Sequence, residues 1–344
     1  MTEPADQPTL PPRRSIDWIN GRIRFIDQRL LPGKLKIIET DDWRVIAGAI
    51  RGLGLRGAPL IGVAAALAVA ATAVKYRNSS PQRKVLSAID GLRATRPTAM
   101  NLFWALDRMH NVVTQIPDDE DFVRIVVKAG REILKDDCRR CAALGKHGSS
   151  LIQDGAIILT VCNTGFLATA GEGTALAAAY RAYDQGRKVH ICVCETRPLL
   201  QGARLTAWEL ENTGIPFTLL VDSAAASLCA SGGVDLCLIG ADRIAANGDT
   251  VNKIGSYQLA LACKEHGIPY FVIAPESTID RDSPNAGCIP IEERASEEVT
   301  TCNGKKVAPA GTPVWNPAFD VVPAALITGI VKENGIHNPP YNFS

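Results

Sequence analysis

At 344 residues the chain exceeds the roughly 250 to 300 at which a single hydrophobic core stops growing, so two packed domains are expected. Apolar residues make up 46% and charged residues 21%, an ordinary globular balance that excludes disorder as the dominant state. With 37 Lys plus Arg against 36 Asp plus Glu, the net charge of +1 supplies no field for a polyanion, and no nucleic-acid partner is expected.

Residues 1–14 are polar and contain prolines, which predicts a loose tail. Asn20-Gly21 sits between apolar stretches over 15–19 and 22–25, and that pair supports the left-handed turn of a small β-hairpin. From Asp42 the pattern turns helical, with segments over 43–50, 58–76, 84–92 and 99–109 separated by a Gly-rich break at 51–57 and by Pro97-Thr98. The 58–74 run has no charge, yet it is Ala-rich and shorter than the roughly 20 residues a bilayer demands, so it reads as a buried helix and no membrane is implied. A mainly helical domain over 15–118 is followed by a linking helix over 119–147, with Asp118 or Asp119 placed to cap its start.

Past Gly148 short apolar strands over 156–161, 188–194, 217–221, 236–239 and 270–273 alternate with helical segments. Strands apolar on both faces with crossover helices predict a parallel sheet covered on both sides, a Rossmann-like domain over 148–344. The fold class is thus α/β, a helical amino-terminal domain with a small hairpin followed by a parallel-sheet domain. A final helix is expected over 322–334, with Pro323 in its first turn and Gly335 just past its end. Of ten cysteines, Cys162, Cys194, Cys237 and Cys263 lie in apolar or helical runs and no signal peptide is recognisable before them, which predicts free thiols in a reducing, cytoplasmic compartment.

In an open parallel sheet, ligands bind beyond the carboxyl ends of the strands. Three such ends here carry chemistry: Cys162-Asn163-Thr164-Gly165, Glu195-Thr196-Arg197-Pro198, and Gly240-Ala241-Asp242-Arg243. Gly171-Glu172-Gly173 lies too far past its strand for a dinucleotide turn, and no GxxxxGK[ST] loop occurs, so no nucleotide cofactor is expected. The five histidines form no HExxH set, and Cys138-Arg139-Arg140-Cys141 has no second pair, so no metal is expected either. Arg56-Gly57-Ala58-Pro59 opens directly into the apolar helix, where free N–H groups and a guanidinium suit a phosphate, and Arg96 adds a second cation at a helix junction. Both arginines fit equally well as residues that solvate helix ends.

Taken together, Leu55-Arg56-Gly57-Ala58-Pro59, Arg96-Pro97-Thr98-Ala99-Met100-Asn101, Thr160-Val161-Cys162-Asn163-Thr164-Gly165, Glu195-Thr196-Arg197-Pro198 with Gln201-Gly202-Ala203-Arg204-Leu205-Thr206, Gly240-Ala241-Asp242-Arg243, Asn252-Lys253-Ile254-Gly255 and Asn316-Pro317-Ala318-Phe319-Asp320 resemble the methylthioribose-1-phosphate isomerase family in order along nearly the whole chain. The resemblance implies a cofactor-free aldose–ketose isomerase of methionine salvage, acting as a homodimer on a phosphorylated pentose. Carried over by motif, Cys162 and Asp242 are the catalytic pair, and Arg56, Gly57, Ala58, Arg96, Gln201, Asn252 and Lys253 contact the substrate. Related branches act on 5-deoxyribose 1-phosphate or ribose 1,5-bisphosphate, and another consists of regulatory subunits of a translation-initiation exchange factor. Leu53-Gly54 departs from the usual hydrophobic approach to the arginine motif, which bears on substrate preference.

A sugar phosphorylated at its anomeric oxygen cannot open by itself, so the ring C–O bond needs an acid. Asp242 ends an apolar run, where desolvation favours a protonated carboxyl. Cys162 ends another strand, where loop N–H groups can favour a thiolate that acts as base or stabilises an intermediate. An intramolecular hydride shift is the alternative, with Cys162 shaping the site. Read without the motifs, Cys162 is also compatible with an inert core thiol and Asp242 with a cap.

Overall fold

The structure is a computed structural model that describes residues 10–96, 100–117, 119, 121–302 and 304–344. The chain forms two compact units, Met1–Ala142 with Gly165–Gly173, and Ala143–Thr164 with Thr174–Ser344. Of the expected amino-terminal tail, residues 1–9 lie outside the described residues, as does Asp118.

In the first unit β1 (Ile16–Ile19) and β2 (Arg22–Ile26) pair antiparallel. Asn20 and Gly21 both take positive φ, 49° and 82°, which matches the twist of a two-residue hairpin. A third strand, β3 (Ile37–Thr40), joins β2, and the Arg24 guanidinium donates to Glu39 across that pair at 2.6 Å. Helix α1 (Trp43–Arg51) starts at Asp42, whose carboxylate accepts the Arg44 N–H. Helix α2 (Ala58–Lys75) has no polar face and is buried from Leu60 to Ala73, the behaviour of a helix that is apolar all round. It is long and apolar enough to cross a membrane by length and composition, yet 78% of that window is buried inside the protein. Helices α3 (Pro81–Arg93) and α4 (Met100–Gln115) share its core. The Asp119 carboxylate accepts the Asp121 N–H just before α5 (Phe122–Ser149).

Segment Gly165–Gly173 belongs to this unit although it follows the first strand of the other. Its backbone is held at Leu167, Thr169 and Ala170. The Ser15 hydroxyl donates to Thr169 O (3.0 Å), Gln28 Nε2 to Leu167 O (2.6 Å), and Ala170 N–H to the buried Asp137 carboxylate (2.7 Å).

The second unit runs β4 (Ala156–Thr160), α6 (Ala175–Asp184), β5 (Val189–Cys194), α7 (Ala207–Thr213), β6 (Phe217–Leu220), α8 (Ala225–Ala230), β7 (Leu236–Ile239), β8 (Arg243–Ala245), β9 (Thr250–Lys253), α9 (Ser256–Glu265), β10 (Tyr270–Ile273), β11 (Ile279–Asp280), α10 (Glu297–Thr300), β12 (Thr301–Cys302), β13 (Lys305–Lys306), β14 (Phe319–Val322), β15 (Gly329–Lys332) and β16 (Gly335–His337). The main sheet has the order β16-β15-β10-β7-β4-β5-β6, and all its neighbours are parallel except β16. This is the Rossmann-like sheet expected from strands such as Leu236–Ile239 and Tyr270–Ile273, buried along their whole length. A second sheet, β11-β8-β9-β14, was not foreseen.

The expected helix over 322–334 is absent. Pro323 takes an extended conformation (ψ 140°), a single 3-10 turn covers Ala324–Leu326, and the chain then pairs with β10 as β15 and turns back as β16. Gly329 lies 3.1 Å from the Phe271 ring, measured from where its Cβ would be, and β-branched Ile330 and Val331 fill the sheet. Gly335 therefore opens β16 after the Glu333–Asn334 turn instead of ending a helix.

Candidate active site

Strand β4 ends at Thr160, whose hydroxyl donates to Leu238 O in β7 at 2.8 Å. Two residues on, Cys162 is half-buried and takes φ 65°, a left-handed conformation. Both of its main-chain groups are held by threonines: its N–H donates to Thr196 Oγ1 (2.8 Å), and its carbonyl accepts from the Thr206 hydroxyl (2.7 Å). Thr196 is itself left-handed at φ 66°, a costly state for a β-branched residue, and Leu200 follows at 57°. Asp222, beyond β6, secures that turn by accepting both Thr196 N–H and Arg197 N–H at 2.7 Å. Such clustered strain is a mark of functional loops. Gln201 is buried in the same loop, and its Oε1 has no hydrogen-bond partner among the described residues.

Strand β7 lies next to β4, with Ile158 opposite Leu236 and Leu159 opposite Cys237. Cys162 and Asp242 therefore emerge from the carboxyl ends of neighbouring parallel strands. Asp242 is half-buried, and its N–H donates to Val251 O at 3.0 Å as the β8–β9 hairpin begins. That hairpin brings Asn252 and Lys253 beside it. Asn252 is buried and donates to Ser256 Oγ at 2.8 Å; the Lys253 ammonium donates to Ala318 O at 2.9 Å and stands 4.7 Å from the centre of the Phe319 ring. Opposite Asn252 in β14 lies Asp320, whose Oδ2 accepts the Gly255 N–H at 2.7 Å while its buried Oδ1 has no hydrogen-bond partner among the described residues.

In the helical unit Arg56 is only 8% exposed and donates from Nε to Gln28 Oε1 at 3.0 Å. Gln28 in turn donates to Leu167 O, so Arg56 is held by the segment that follows the cysteine motif. Gly57 has φ 94°, and any Cβ there would collide with the Ala168 carbonyl. Ala58 and Pro59 open α2, which leaves first-turn donors free of intrahelical bonds. Arg96 is half-buried beyond α3, ahead of residues 97–99, which lie outside the described residues. Cys138 donates to Ala170 O, and burial pushes the Cys141 thiol well above its ordinary value, so this pair is part of the packing.

Cys162 and Gln201 thus gather about β4 and β5, Asp242, Asn252 and Lys253 about the β8–β9 hairpin, and Arg56, Gly57 and Ala58 at the start of α2. Sequence reasoning gave no role to Gln28, Thr196, Thr206, Asp222 or Asp320. Three of these five were inside the quoted motifs, and the cue at Asp222 was an acid directly after an apolar strand.

Residues 54–339 match the initiation factor 2 subunit family. The methylthioribose-1-phosphate isomerase of Geobacter sp. (strain M21) is 48% identical over 333 residues, covering 95% of this chain and 96% of that one. The chain belongs to the methylthioribose-1-phosphate isomerase family. Within that family, methylthioribose-1-phosphate isomerase 2 of Pseudothermotoga lettingae is 46% identical over 330 residues, covering 95% and 96% of the two chains. The crystal structure of 5-methylthioribose 1-phosphate isomerase from Pyrococcus horikoshii superposes with a TM-score of 0.88 at 41% identity, over 95% of this chain and 93% of that one. A structure described as translation initiation factor eIF-2B, subunit delta, from A. fulgidus gives the same TM-score at 38% identity, over 95% and 96% of the chains. Membership of this isomerase family makes the protein an enzyme.

Proposed function

We propose that the protein converts 5-methylthioribose 1-phosphate into 5-methylthioribulose 1-phosphate in methionine salvage, as a cytoplasmic homodimer. Identity of 48% with a methylthioribose-1-phosphate isomerase along 95% of the chain carries this reading. Asp242 gives a proton to the ring oxygen as the bond from that oxygen to C1 breaks. Hydrogen then moves from C2 to C1, and the C2 hydroxyl loses its proton to become the ketone. The Asp242 carboxylate takes that last proton, so the balance closes with no cofactor.

Cys162 has one of two roles in the middle step. As a thiolate it removes the C2 proton and returns it to C1; otherwise the hydrogen migrates as a hydride and the thiol shapes and polarises the site. Arg56, Gly57, Ala58 and Arg96 take the phosphate, with the α2 amino terminus contributing N–H groups. Gln201, Asn252 and Lys253 take the sugar oxygens. The Oε1 of buried Gln201 supports this, because a substrate hydroxyl supplies a donor that the described residues do not.

Turnover of methylthioribose 1-phosphate, 5-deoxyribose 1-phosphate and ribose 1,5-bisphosphate by the purified protein tests the substrate. Exclusive use of the bisphosphate overturns the methylthio preference, and no ketose from any of the three favours the regulatory-subunit relatives. Cys162→Ser and Asp242→Asn are each expected to lower kcat by roughly 100-fold or more with the fold intact by circular dichroism. Solvent deuterium entering the product at C1 counts against a pure hydride shift, and complete retention of the C2 deuterium counts against exchange through Cys162.

A further inference from the structure

We propose that Glu209, a carboxylate sealed inside the second unit, is a positioning residue that sets Cys162 for reaction through Asn163 and Thr206. The inference rests on the reading of Cys162 as a reacting group.

Residues Gly202–Thr206 form a π-helical turn ahead of α7, an irregularity that recurs at functional sites. Gly202 starts it against the Cys194 carbonyl, where no Cβ fits. The turn delivers the fully buried Thr206 hydroxyl to the Cys162 carbonyl. Asn163 Nδ2 donates to Thr206 Oγ1 at 3.2 Å and to Glu209 Oε1 at 2.7 Å, and Tyr180 donates its hydroxyl to Glu209 Oε2 at 2.6 Å. Glu209 has no solvent exposure.

This order of bonds has a single polarity. A carboxylate accepts only, so Glu209 turns the Asn163 amide with its NH2 side inward. That NH2 group then donates to a lone pair of Thr206 Oγ1, whose one hydroxyl hydrogen goes to the Cys162 carbonyl, which can only accept. On the other side of the residue, the Thr196 hydroxyl donates to Cys194 O at 2.9 Å and therefore receives the Cys162 N–H. Both clamps hold the left-handed φ that aims the thiol. Burying a carboxylate is expensive and an apolar side chain of like volume often packs as well, so its presence points to a task other than stability.

Steady-state kinetics and the rate at which iodoacetamide alkylates Cys162, followed on its peptide by mass spectrometry, test the relay. Glu209→Gln and Thr206→Val are each expected to lower kcat roughly 10- to 100-fold while KM stays within about threefold, and to change the Cys162 alkylation rate by about fivefold or more. Thr206→Ser keeps the hydroxyl and is expected to stay within about threefold of the parent enzyme on both measures. Unchanged kcat and alkylation in folded Glu209→Gln, or equal losses in the Ser and Val variants, overturn the relay. Should Glu209→Gln fail to fold, Tyr180→Phe removes one of its bonds and must shift both readouts in the same direction. Turnover by Cys162→Ala sinks the parent reading of the thiol, whereas an inactive Cys162→Ala beside a fully active Glu209→Gln sinks the relay alone.

Discussion

Burial pushes the Asp320 carboxyl up to about 6 from an ordinary 3.8, against the opposing pull of the Tyr257 and Gly255 N–H groups and the Lys253 charge. The folded protein therefore holds this proton more tightly than the unfolded chain between those two values. Stability from this group is complete below 3.8 and is lost as pH rises through about 6. Asp320→Asn keeps an acceptor for Gly255 without a charge to bury. The melting temperature of Asp320→Asn minus that of the parent is expected to rise between pH 4 and pH 7 by about 2 °C or more. A flat difference across that range would show that Asp320 titrates normally. At this scale Cys162 and Asp242, the pair proposed to react, stand out in the sequence because their motifs follow apolar strands, and both residues lie just past strand ends. The Thr206 and Glu209 bonds do not, because they join positions 44 and 46 residues apart and depend on a turn whose geometry has no composition cue.

Among the elements, the start of α2 is the most tightly specified. Gly57 needs φ 94° and sits against the Ala168 carbonyl, so Gly57→Ala combines a left-handed penalty with a steric clash. A loss of about 3 kcal/mol or more in urea unfolding is expected, together with lower activity from a displaced Arg56. The long helices and the fully apolar strands could be read from periodicity, since Ala58–Lys75 and Val189–Cys194 each show one unambiguous pattern. Strands β3, β8, β9, β11 and β14 span two to four residues each, too few for alternation to register. The carboxyl-terminal hairpin reads as a helix in the sequence because Pro323 and Gly335 occupy positions that both structures tolerate. Pairing with Tyr270–Ile273, far upstream, decided between them.

At the level of the whole molecule, each unit draws on separate stretches of chain. Thr169, Leu167 and Ala170 supply backbone partners to Ser15, Gln28 and Asp137, all in the helical unit. A fragment of residues 1–142 lacks those partners and leaves the buried Asp137 carboxylate without the Ala170 N–H. It is expected to bind a hydrophobic dye and to melt without a cooperative transition, whereas the intact protein melts sharply; calorimetry on both distinguishes the outcomes. Composition pointed to two bodies but carried no sign of this interleaving, since segment Gly165–Gly173 reads as a loop of its own strand.

The returning segment also constrains how such genes can recombine. A crossover with a relative near residue 142 would give one parent's Ser15 and Gln28 the other parent's Leu167 and Thr169, and the mismatch would fall five and seven positions after Cys162. Viable hybrids should therefore inherit that nonamer together with the amino-terminal half, as a double exchange.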